Sequence, residues 1–75
     1  MPYIAIKAYP KDEAIKKEVV DRVFDTFAEL WGCPKEAISI SLEEVDPADW
    51  EQVVKNEIEP KQDKMMVRDG KKLYE

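Results

Sequence analysis

The chain has 75 residues with one cysteine and no histidine, and 17 acidic against 12 basic side chains give a net charge of −5. A lone cysteine excludes an intrachain disulfide, the lack of histidine argues against a conventional zinc site, and the acidic balance argues against nucleic acid as a partner. A single domain over residues 1–75 is expected; a monomer of this size buries only about 60% of its unfolded surface, so without disulfide or metal, association between copies is the remaining route to stability.

No apolar run approaches the length of a membrane span, and no secretory leader precedes the first strand pattern, so a reducing, cytoplasmic location without a membrane partner is expected. The charge is uneven. Residues 1–60 carry 7 basic and 14 acidic side chains, whereas residues 61–75 carry 5 and 3. Such a basic tail is either a solvated end or a guide for a small anion or another subunit's acidic face.

In chain order, residues 3–9 alternate, with Ile4, Ile6 and Ala8 on one face and Tyr3, Ala5, Lys7 and Tyr9 on the other, which predicts a strand ending at Pro10. Asp12 is placed to cap a helix that runs to Trp31, with Ile15, Val19, Val23 and Phe27 recurring every fourth residue and Val20, Phe24, Ala28 and Trp31 widening the apolar face. Gly32 and then Pro34 read as its stop. Residues 37–43 alternate again, so strand, helix and strand make a right-handed β-α-β unit with parallel strands and the helix over the isoleucine face. Two parallel strands leave two open edges, which predicts pairing with a second copy. Asp46-Pro47-Ala48-Asp49 is a helix start, and Trp50, Val53, Val54 and Ile58 trace a short helical face that Pro60 kinks or ends. Residues 61–67 are expected to add one or two turns, and Asp69-Gly70 to make a tight turn. The fold class expected is therefore α+β, with the sheet completed by oligomerisation.

The inventory of reactive groups is short. No histidine-based dyad or glycine-rich phosphate loop can be built, Cys33 follows a helix C-terminus and reads as inert, and the carboxylates show no spacing that marks an acid–base pair. What remains is Pro2. Proline is small enough for Met1 to be removed ahead of it, leaving a secondary amine at the head of a strand. α-Amines titrate at about 7.7–8.0, close enough to neutrality for modest burial to make one a base. While Met1 is attached, the Pro2 nitrogen is an amide without useful basicity.

Met1-Pro2 opening a strand, a β-α-β unit of this size, the Ile38-Ser39-Ile40-Ser41-Leu42 second strand and Trp50 soon after it together resemble the tautomerase superfamily, specifically the short 4-oxalocrotonate tautomerase-like chains. Asp46-Pro47-Ala48-Asp49-Trp50 and Glu57-Ile58-Glu59-Pro60 are similar to a dimeric branch, the bacterial phenylpyruvate-type tautomerases, more than to the hexameric type. The resemblance implies a cofactor-independent keto–enol tautomerase, without metal, whose base is Pro2 and whose partner is a small enol or keto acid. It implies an aromatic wall at Trp50, although ordinary packing of a short helix accounts for that residue equally well.

Where the hexameric type holds carboxylates with two arginines, this chain offers Lys11 and Ser39. A monocarboxylate with an apolar or aromatic tail suits Lys11, Ser39 and Trp50 better than a dicarboxylate does. Arg22 reads as a surface residue, and Arg68 as a solvated charge or a reach toward a neighbouring site. A hydratase or dehalogenase using the same proline, and a non-catalytic oligomer that keeps Met1, are the competing readings. A dimer is favoured over a hexamer.

Overall fold

The computed structural model describes residues 1–74. Strand β1 (Tyr3–Ala8) leads into helix α1 (Glu13–Trp31), and strand β2 (Ser39–Glu44) returns parallel to β1. The pairing sets Tyr3 beside Ser39, Ala5 beside Ser41 and Lys7 beside Glu43. Two further backbone bonds extend the ladder past both strand ends: Ser39 N–H donates to the Pro2 carbonyl at 3.1 Å, and Val45 N–H to the Ala8 carbonyl at 2.8 Å.

Local chemistry explains where α1 starts and stops. The Asp12 carboxylate accepts from the Ile15 N–H at 2.9 Å, satisfying one of the amides that a helix start leaves without an internal partner. Gly32, at φ 74°, turns left-handed and donates its N–H to the Ala28 carbonyl at 3.2 Å. Between these caps, Val20, Phe24, Phe27 and Ala28 are half-buried on the sheet side, where Ile4, Ile6, Ile40 and Leu42 meet them. Ile15 and Val19, counted in the same stripe by periodicity, stay 45% and 43% exposed. They lie on the flank of the helix beyond the reach of two strands.

Several boundaries differ from the sequence reading. Residues 35–37 form a 3-10 turn started by Pro34, so the second strand begins at Ser39 rather than at residue 37. After Asp46 caps the Ala48 N–H at 2.9 Å, the chain makes a 3-10 turn (Pro47–Asp49), one turn of α-helix, α2 (Trp50–Val53), and a wider π-helical stretch (Val54–Ile58). Glu59–Lys64 tightens again to 3-10 geometry around Pro60, whose ring cannot continue the ladder. Residues 65–67 are not helical. Val67–Arg68 (β3) pairs antiparallel with Lys71–Lys72 (β4) across Asp69-Gly70, which adopt φ 52° and 80°. Two consecutive left-handed residues are what a two-residue hairpin of right-handed twist requires, and Asp-Gly supplies them at low cost.

The C-terminal turns cover only one end of the second sheet face. Trp50 packs edge-on against Tyr9 with ring centroids 5.3 Å apart, and Glu57 accepts a hydrogen bond from the Lys7 ammonium. Toward the other end, Tyr3, Ala5, Ser39 and Ser41 remain exposed. Among the described residues Val53 alone is buried, at 9% exposure, and no side chain is fully enclosed. The accessible surface is 6291 Å² for a mass of 8.7 kDa, where a compact monomer of that mass has about 4,700 Å². The radius of gyration, 13.8 Å, likewise exceeds the about 11 Å of a compact chain of this length.

Candidate active site

Pro2 sits at the head of β1, half-buried, with its carbonyl tied to β2 through Ser39. Because α1 runs antiparallel to the strands, its last turns come back over this end of the sheet. Phe27, Trp31 and the following Cys33 therefore join Pro2, Tyr3 and Ile4 around an open groove of about 370 Å³, with Met1 at its mouth. Trp31 stacks on Phe27 with centroids 5.2 Å apart and planes 21° from parallel. No Asp, Glu, Lys or Arg lines the groove. Tyr3 turns to the opposite sheet face at its edge, its hydroxyl 3.3 Å from that of Ser41.

Of the four residues singled out from sequence, Pro2 and Ser39 lie at this end of the sheet, and Lys11 and Trp50 lie at the other. β1 has six residues, a length of about 20 Å, and Lys11 follows its far end while Trp50 packs against Tyr9 there. Within one chain, then, Pro2 and the expected aromatic and cationic partners do not meet. Sequence reasoning placed Trp31 only in the apolar stripe of α1. The signal that could have found it is topological: in a β-α-β unit the end of the helix returns to the start of the first strand.

The far end is electrostatically organised. The Glu44 carboxylate accepts from the Lys11 backbone N–H at 3.0 Å and pairs with the Lys16 ammonium at 3.3 Å. These bonds hold Glu44 below the ordinary carboxylate range, the Lys11 amide contributing most. Lys16 is raised by its bond to Glu13, reinforced by Glu44. Lys7 is raised chiefly by its bond to Glu57, with Glu43 3.9 Å away adding to it. The Lys11 ammonium itself has no ion-pair partner among the described residues, so it stays available to an anion. Arg22 is engaged by Glu18 on the helix surface, and Arg68 by Gln62 and Asp69 within its own arm.

Among the described residues no group of His, Cys, Asp and Glu is arranged to hold a metal ion, and no helix is long and apolar enough to cross a membrane.

Residues 2–56 match the family model described as Tautomerase enzyme. A probable tautomerase of Xylella fastidiosa (strain 9a5c) is 32% identical over 72 residues, an overlap of 93% of this chain and 88% of the relative. The tautomerase PptA of Shigella sonnei (strain Ss046) is 29% identical over 72 residues, covering 93% of this chain and 96% of that protein. PptA of Escherichia coli O127:H6 is similar to the same extent. With a match over most of its length, a β-α-β fold and a second-position proline heading the first strand, this chain belongs to the tautomerase family and is an isomerase of the tautomerase type.

Proposed function

We propose that the chain interconverts the enol and keto forms of a small 2-hydroxy-2-enoate and its 2-keto acid, with the amine of Pro2, freed by removal of Met1, as general base. The observation that carries this reading is the groove around Pro2, which has no charged side chain in its lining. An amine beside apolar and aromatic walls is poorly solvated as a cation, which lowers its pKa toward neutrality and leaves the basic form populated. The neutral amine takes the proton of the C2 hydroxyl; the freed O–H pair becomes the carbonyl π bond, and the C2–C3 π pair accepts a proton at C3 from the proline ammonium. Proton and electrons balance within the substrate, and the base is regenerated.

The carboxylate of such a substrate needs a cation, and none lines the groove of the same chain. A second copy supplies one if the free edges of β1 pair about a two-fold axis. Strands related in that way run antiparallel, so the far end of one β1, with Lys11 and Trp50, comes to the Pro2 end of the other. The excess of accessible surface over a compact monomer, about 1,600 Å², is of the size an extensive subunit interface covers. The half-exposed Ile15 and Val19 lie on the helix flank, suited to meet a second α1. We therefore favour a dimer whose sites combine Pro2 and Ser39 of one copy with Lys11 and Trp50 of the other.

The test is Pro2→Ala, in protein shown by intact mass to have lost Met1. The primary amine remains, yet turnover at neutral pH should fall by about 10²–10⁴-fold with unchanged circular dichroism. The unmodified enzyme should gain kcat/KM with rising pH through an ionisation below the usual about 7.7–8.0 of an α-amine, and this limb should move in the variant. A loss smaller than threefold would remove Pro2 from the role of base.

A further inference from the structure

We infer that Trp31, backed by Phe27, is the surface on which the planar, apolar end of the substrate stacks beside Pro2. The inference rests on the Pro2 reading above and adds the specificity element that acts from within the same chain. Three features of the groove carry it. First, Trp31 is 71% exposed although its ring is stacked on Phe27, so one aromatic face is fixed from behind and the other is open. Second, Pro2 lies in the same groove as that pair, so a molecule reacting at Pro2 has the indole within its reach. Third, the lining carries no Asp, Glu, Lys or Arg, so the part of the substrate held there is uncharged and its carboxylate points out toward a cation beyond the groove.

The stacked geometry selects further. Two rings only 21° from parallel present a flat wall, and a flat wall favours an aryl or conjugated alkenyl group over a branched aliphatic one. Cys33 and Ile4 line the groove with small apolar surface and impose no polar demand on the group that enters. Met1, fully exposed, also lines this groove, so the cleavage that frees the Pro2 nitrogen takes away part of the lining as well.

The test compares two 2-keto acids differing at C3, one bearing a phenyl group and one a methyl group, on Met1-processed enzyme. Trp31→Ala should raise KM for the phenyl substrate about tenfold, with kcat changed less than twofold, and should leave KM for the methyl substrate within about twofold. Trp31→Phe, which keeps a flat ring, should restore most of the phenyl preference, and it keeps the inference testable if the alanine variant does not fold. Equal losses on both substrates overturn the inference. So does dissociation of the assembly by either variant at constant protein concentration, which would make a second copy the occupant of the wall. These outcomes are distinct from failure of the proline reading, which shows as retained turnover in Pro2→Ala whatever Trp31 does.

Discussion

The carboxylate of Glu44 accepts a hydrogen bond from the backbone N–H of Lys11 at 3.0 Å, tying the loop after β1 to the end of β2. Lys11 is thus held by its backbone while its side chain stays without an ion pair among the described residues. Glu44→Ala should loosen the loop and raise KM for a carboxylate substrate about threefold, with kcat retained, as expected for lost positioning of a binding group. The pH consequence has a definite sign. Glu44 is held below its ordinary value of 4.5, so its contribution to stability is present above that value and is lost as pH falls through the lower folded-state value. Lys16 is raised above 10.5, so its contribution is present below that value and is lost as pH rises through the folded-state value. Thermal midpoints across the acid limb should fall less steeply in Glu44→Ala than in the parent.

The separation of Pro2 from Lys11 along β1 gives a direct test of shared sites. Pro2→Ala and Lys11→Ala are each expected to be impaired alone. Mixed by co-refolding, random dimers would include about one half hybrids, each with one intact site and one doubly altered site, so about a quarter of parental turnover should return. If Lys11 served the Pro2 of its own chain, every hybrid site would carry one lesion and no recovery would be seen. Sedimentation equilibrium on the same mixture reports the assembly; a folded, active species at the monomer mass would sink the dimer.

Gly32 provides a stability prediction free of packing effects. A Cβ added there meets nothing within 4 Å, so Gly32→Ala acts only through the left-handed backbone at φ 74°. The cost should be about 1–2 kcal/mol, read from denaturant midpoints at fixed protein concentration, and Gly32→Asn should lose less. A substitution that costs nothing would mean that the helix end relaxes out of this conformation.

These predictions also mark which parts of the fold could be read from the chain. Asp12, Gly32 and the Asp69-Gly70 turn were legible because each acts on backbone groups a few residues away. The β-α-β order followed from two alternating stretches around a four-residue period. The small hairpin was not legible, since Val67-Arg68 and Lys71-Lys72 are too short to show alternation. Nor was the path after Trp50, where Lys7 and Glu57 meet from positions 50 apart in the chain. Of the candidate site, Pro2 was singled out by its position and Ser39 by resemblance, whereas Trp31 was not, because its neighbours are set by the return of α1. Lys11 and Trp50 were grouped with Pro2 by resemblance, and the single chain holds them at the opposite end of its sheet.

The π-helical stretch Val54–Ile58 has a bearing on how this chain tolerates change in length. A π turn amounts to one residue inserted into an α-helix without breaking it. Here the wider turn carries Glu57, which meets Lys7, and leads into the Pro60 turn and the hairpin. Removing one residue between 54 and 58 would let the segment wind as ordinary helix while the turns on either side keep their faces. A single-residue deletion there should therefore be tolerated better than the same deletion within α1, whereas a substitution at Glu57 would cost its bond to Lys7.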